Sequence, residues 1–219
     1  YNYQHYIQQC LESCLEQNTD LDYEVIIVND GSTDKTQEIL DKFKDQERLT
    51  LIEIQNSGIE KASNKGFLYA KGEFIVRLDA DDMLMPIFLE SHSAQIKNEK
   101  YDFFYSDYYV IDAHGSTVGE MCLPEFSEKE IFSRGDFLAT GTLYRRELLD
   151  RLGGYEESIV NSGLENYEFI LRLIENGSVG KHLSNKLFKY RRHRNNLSDI
   201  KKNSIIKNGH HLFKRKNYG

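Results

Sequence analysis

Residues 72–82, GEFIVRLDADD, decide the fold: an apolar run of strand character delivers three carboxylates, Asp79, Asp81 and Asp82, within four positions. Side chains alternate along a strand, so Asp79 and Asp81 leave its end on one side, about 6 to 7 Å apart. That spacing lets them share a hard cation and its phosphate ligands. Taken alone, the stretch reads equally as an acidic turn with Asp82 capping a helix that begins near Pro86. A second run, VIIVNDGSTD at 25–34, supports the first reading. Here another apolar strand ends in Asn29 and Asp30, turns through Gly31, and opens a helix that Ser32 or Thr33 can cap, with Asp34 suited to the helix dipole. Asp30 stands at the carboxyl end of a strand, where open α/β sheets place their ligands, and an acidic side chain there suits a base or a ribose hydroxyl.

Outward from these two strands the chain alternates. A helix over 3–17 has its apolar positions Ile7, Cys10, Leu11, Cys14 and Leu15 at helical spacing. A strand over 23–28, a helix from about 33 to 44, the strand LTLIEI, a helix from about 59 to 70 and the strand EFIVRLD follow. Such alternation implies an α/β fold with a mixed, mainly parallel sheet and helices on both faces. After a helix near 86–98, DFFYSDYYVID, the turn AHGS and TVGEMCL read as a hairpin. Then come a short helix SEKEIF, a strand and helix in GTLYRRELLDRLGG, and a helix LENYEFILRLIENG closed by Gly177.

The chain has 219 residues, enough for one full-sized domain, and its 39% hydrophobic and 12% aromatic content favours a packed core. A net charge of -7 argues against a general nucleic-acid binder. Residues 186–216 are nonetheless strongly basic, and 199–219 read as a basic helix or tail that suits solvent or an anionic membrane surface. Cys10, Cys14 and Cys122 cannot all pair, which fits a reducing, cytoplasmic compartment. No apolar run approaches the ~20 residues needed to cross a bilayer.

Together YNYQHYIQQCLESCLEQ, EVIIVNDGSTDKT, QNSGIEKASNKGFLYAKGEFIVRLDADDMLMP, GTLYRRELLDRLGGY and GLENYEFILRLIENG resemble the successive blocks of the family 2 glycosyltransferases, from Tyr1 to about Ser198. The resemblance implies the GT-A fold, with a nucleotide-sugar half over 1–112 and an acceptor half over 113–198, and one further strand ahead of the Tyr1–Asn2 pair. It implies an inverting, metal-dependent transfer of a hexosyl or N-acetylhexosaminyl group. The donor is a nucleotide diphosphate sugar such as a UDP-sugar, and the acceptor is a glycan or lipid-linked. By resemblance Asp30 binds the base, Asp79, Ala80 and Asp81 form the DxD element, and Asn64 lies on the nucleotide-sugar side. Asp81, with Asp82, holds Mn2+ or Mg2+. In KYRRHRNNLS, Arg191 and Arg192 fall where relatives close over the diphosphate, and His193 falls where a metal or phosphate contact is expected. A solvated basic surface is the alternative for that run.

One position departs from the family pattern. The base that takes the acceptor hydroxyl's proton comes from an acidic pair at the start of the last helix, and here the pair is Glu165 and Asn166. An amide accepts no proton at neutral pH. Three readings follow: Glu165 does the work, Asn166 is an introduced substitution that traps complexes, or the domain binds a sugar nucleotide or glycan without turning it over as part of a larger synthase. Glu168 is spaced for an ordinary i, i+4 ion pair with Arg172.

Overall fold

The computed structural model describes residues 1–138, 140–159, 163–196 and 200–216. Helix α1 (Ile7–Leu15) leads into β1 (Val25–Asn29), α2 (Thr36–Leu40), β2 (Leu49–Glu53), α3 (Ile59–Tyr69) and β3 (Phe74–Val76). The two-residue β4 (Met83–Leu84), α4 (Phe88–Ser93), β5 (Phe103–Ile111), β6 (Thr117–Met121), α5 (Glu128–Arg134), β7 (Leu143–Arg145) and α6 (Arg146–Leu152) follow. Last come α7 (Glu165–Glu175), β8 (Gly180–Arg191) and α8 (Lys202–Arg215). This is the expected mixed α/β architecture.

The two longest ladders are parallel: β1 with β2, and β5 with β8 from Phe103↔Gly180 to Ile111↔Arg191. Antiparallel pairs add β7 between β3 and β5, β4 beside β8, and β6 on β5 as the expected hairpin. Among the described residues β1 and β2 form their own two-stranded sheet, separate from the order β3-β7-β5-β8-β4. Alternation along β5 builds two cores. Phe103 and Tyr105 turn toward a cluster with Leu148, Leu149, Phe169 and Ile170, whereas Phe104 turns to one with Phe88, Leu187 and Phe188. Helices α6 and α7 cover one face of β5 and α4 the other, as a strand buried on both sides requires.

Two sequence expectations are corrected. Basic residues 186–191 belong to β8, because a long-range parallel partner, β5, overrides their polar pattern. The last helix is docked: Leu212 is buried, and Ile205 and Phe213 pack against the main core. No helix among the described residues is long and apolar enough to cross a membrane.

Candidate active site

The loop after β1 forms the first wall. Gly31 has φ +69°, and a Cβ there would meet Asn56 N at 2.8 Å, so only glycine lets the β1 tip lie against the chain that follows β2. Asp30 is 5% exposed, and its carboxylate is the clasp: Oδ1 accepts from Ser57 N (2.8 Å) and Ser57 Oγ (3.1 Å), and Oδ2 from Gly58 N (3.0 Å). Neither Ser32 nor Thr33 caps α2. Asp34 Oδ1 accepts from Thr36 N (2.9 Å), and Asn2 Oδ1 accepts from Thr33 N (2.8 Å). Tyr3 N donates to Thr36 Oγ1 (3.0 Å), and the Tyr3 phenol lies within electrostatic reach of Asp79, Asp81 and Asp82, so the segments after β1 and after β3 both approach Tyr3.

The DADD segment divides its three carboxylates. Asp79 Oδ1 accepts from Arg77 Nε (3.0 Å) and Nη2 (2.6 Å), which turns that side chain toward the arginine. Asp81 Oδ2 lies 2.9 Å from His193 Nε2, and Tyr6 stacks on the His193 ring with centroids 4.8 Å apart. Burial, followed by the charge of Asp79, raises the Asp81 pKa, and His193 opposes the rise. Asp82 faces inward and caps no helix: Oδ1 accepts from Arg191 N (2.8 Å), while Oδ2 is buried without a partner. Burial, then the charges of Asp79 and Asp81, pushes the Asp82 pKa well up. Ala80 and Tyr3 both pack against the cluster of Ile7, Leu11 and Leu40, and the Tyr3 phenol feels all three aspartates.

Among the described residues no three His, Cys, Asp or Glu side chains converge on an ion position. The Asp81 carboxylate and His193 imidazole still fit a divalent cation whose other ligands are phosphate oxygens and water, since such ions are commonly held through one or two side chains.

Two expected nucleotide contacts are corrected. Arg191 is fully buried: Nε donates to Asp81 O (2.7 Å), Nη2 to Gln9 Oε1 (2.8 Å) and Nη1 to Asp112 O (3.3 Å). Its fork is spent bracing the DxD backbone, so it has nothing left for a diphosphate. Asn64 is likewise committed. Its Nδ2 donates to Tyr155 O (2.8 Å) and Glu157 Oε1 (2.9 Å), and its Oδ1 accepts from Tyr155 N (2.7 Å). A Cβ on Gly154 would sit 2.1 Å from Asn64 Oδ1, so this approach needs glycine. Arg192 is exposed.

The second wall is built around Arg77, a residue the sequence reading missed. Its Nη1 donates to Tyr155 Oη (3.1 Å), reaches Asn166 Oδ1 at 3.5 Å and lies 3.9 Å from Glu165 Oε1. Tyr155 Oη in turn donates to Asn166 Oδ1 (2.7 Å), so the amide orients a phenol and an arginine. Glu165, at the first turn of α7, is 9% exposed, and its Oε2 has no partner. Burial raises its pKa against the opposing charge of Arg77. Asp136, also unforeseen, stands just beyond α5. Solvent reaches it along a groove, yet protein crowds it closely, and burial and then the Glu165 charge push its pKa up to about 7. Glu168 forms the expected pair with Arg172, Nη2 to Oε2 at 2.7 Å, and Arg172 Nη1 also donates to Leu152 O (2.6 Å).

Residues 1–153 match the family model described as Glycosyl transferase family 2. A hyaluronan synthase of Pasteurella multocida is 34% identical over 215 residues, which is 96% of this chain and 21% of that protein. The crystal structure of S. aureus TarS 1-349 in complex with UDP-GlcNAc superposes with a TM-score of 0.74 at 24% identity, covering 91% of this chain and 58% of that one. The mannosyltransferase PcManGT from Pyrobaculum calidifontis, in complex with GDP-Man and Mn2+, gives 0.67 at 18% identity, covering 92% and 57%. The chain thus spans about a fifth of the synthase and somewhat over half of each crystallised protein.

Proposed function

The chain belongs to glycosyl transferase family 2 and has the GT-A fold, and on that premise we propose that it transfers a sugar, with inversion, from a UDP-linked or other nucleotide diphosphate donor to a glycan or lipid-linked acceptor in polysaccharide assembly. One observation supports this reading above the others. Arg77 ties Asp79, in the same DADD segment as the Asp81–His193 pair, to Glu165. Inversion needs a leaving diphosphate held on one side and a proton acceptor on the other.

Asp30 keeps the β1 tip and the start of α3 in register around the base, and Asp81 and His193 face the diphosphate. A divalent cation held by those two would neutralise charge growing on the leaving group, as a Lewis acid does. Glu165 Oε2 is the proton acceptor. An orphaned, buried carboxylate oxygen gains by protonation, and Arg77 keeps the group ionised until the acceptor hydroxyl arrives. Asn166 is a positioning residue here, holding Tyr155 beside Arg77. Exposed Ile200 and Ile206 near Lys202 and Lys207 give α8 a basic and apolar outer side that suits peripheral contact with the cytoplasmic face of a membrane.

Asn166 favours a second reading, a binding domain of a larger synthase that holds the donor without turnover. Diphosphate release from a panel of sugar nucleotides with Mn2+ separates the two. Expected is release by the natural chain, a loss of about 10²–10⁴-fold in Glu165→Gln, and less than about tenfold change in Asn166→Asp. Release that appears only in Asn166→Asp would reject Glu165 as the base. Donor binding without release in any version would establish the second reading.

A further inference from the structure

Glu60 is fully buried, and neither of its carboxylate oxygens has a hydrogen-bond partner among the described residues. Such a group is costly to keep, and an apolar side chain in its place would relieve the cost. It stands in the first turn of the 11-residue α3, where the helix dipole favours an anion. Helical spacing puts it on one face with Asn64 and Phe67. That face meets Tyr155: Asn64 exchanges two bonds with the Tyr155 backbone, and the Phe67 and Tyr155 ring centroids are 5.6 Å apart. The Tyr155 phenol in turn bonds to Asn166, the neighbour of Glu165. Glu60 thus lies on the side of α3 turned to the start of α7, where Glu165 has an equally orphaned oxygen, Oε2. Burial raises the Glu165 pKa, Arg77 opposes the rise, and the charges of Asp79 and Glu60 add to it. The Tyr155 phenol and Asp136 also feel Glu165, while Glu168 on the same helix is paired with Arg172.

We propose that Glu60 is a positioning residue for sugar transfer: a second buried carboxylate, set from α3 as a like charge against Glu165, that makes Glu165 basic enough to take the proton of the acceptor hydroxyl. The inference rests on the transferase reading with Glu165 as the base. Arg77 Nη1 lies 3.9 Å from Glu165 Oε1, and a cation at that range favours the charged form, so a carboxylate beside Arg77 alone gives up basicity. A like charge restores it, and a general base works best when its pKa lies near the working pH. Burial keeps counter-ions away from Glu60, so its repulsion is screened far less than that of a surface acid. An amide or a methyl group at this position would leave the donor wall as it is and turn Glu165 into a weaker base.

The side-chain carboxyl carbon of Glu165, identified by its loss in Glu165→Gln, is followed by NMR through a pH titration of the full chain. The natural protein is compared with Glu60→Gln, which keeps the shape and removes the charge, and with Glu60→Ala, which guards against an amide that unfolds the chain. Expected is a Glu165 midpoint that moves to lower pH in both variants, with the melting temperature held or raised. Diphosphate release from a sugar nucleotide with Mn2+ is recorded against pH on the same proteins. Its acid limb should move down with the midpoint, and the plateau above it should fall by less than the ~10²-fold lost with a whole general base. Combined with Glu165→Gln, Glu60→Gln should cost no further release, since it has nothing left to act through. A role confined to holding α3 would lower the melting temperature and leave midpoint and limb unmoved. An unmoved midpoint in the folded variants, a move to higher pH, or a full additive loss in the double variant would overturn the proposal. A midpoint that moves in a chain releasing no diphosphate supports the carboxylate pair and removes the transferase reading, whereas release with an unmoved midpoint removes the role of Glu60 alone.

Discussion

Arg77→Met tests the electrostatic centre of the site. Methionine keeps the apolar stem but removes a guanidinium that makes two bonds to Asp79, one to Tyr155, and lies 3.9 Å from Glu165. Stripping one partner from a buried ion pair costs ~3–5 kcal/mol, because the remaining charge has no counter-ion. The Asp79 side chain is 33% exposed and can rehydrate, while that of Glu165 at 12% cannot. The lower end, about 3 kcal/mol, is therefore expected. Arg77 opposes the burial that raises the Glu165 pKa, so without it the folded value climbs further above that of the unfolded chain. A carboxyl raised on folding adds stability that is complete below its unfolded pKa and lost as pH rises through the folded one. The deficit of the variant is thus greatest at alkaline pH and shrinks as the pH falls toward the ordinary carboxylate range. Urea unfolding at several pH values measures it. A deficit under about 1 kcal/mol, or one that grows on acidification, would refute the role given to Arg77.

Gly154→Ala should cost about 2–4 kcal/mol, from overpacking against Asn64 and strain on the two bonds that Asn64 and Tyr155 exchange, read by thermal unfolding. Asp136→Asn should raise the melting temperature above about pH 7, where the natural carboxylate is charged in a crowded place, with the gain vanishing as the pH falls well below that value. His193→Ala should weaken Mn2+-dependent binding of a sugar nucleotide about tenfold in calorimetry, and unchanged binding would remove the histidine from the diphosphate wall.

The alternation of strands and helices, the hairpin after β5 and the Glu168–Arg172 pair were legible because each rests on local periodicity or spacing. Carboxylates at strand ends were legible too, since an acid after an apolar run has few structural excuses. Arg77 was not: within an apolar run a single arginine reads as a solvated side chain, and only the folded chain brings Asp79, Tyr155, Asn166 and Glu165 around it. Arg191 failed for the opposite reason. It sits in a basic run that looks exposed, and its burial depends on backbone carbonyls of Asp81 and Asp112 that no side-chain pattern announces. Asp136 followed a helix-ending glycine and passed for a loop residue. Its surroundings come from α7 and α8, remote in sequence.

Arg191 reaches back across 110 positions to the Asp81 carbonyl and further still to Gln9. During synthesis on the ribosome the DADD loop therefore lacks its keystone until β8 has emerged. A product truncated ahead of β8 is left with a slack DADD loop, because Arg191 holds the Asp81 carbonyl in place.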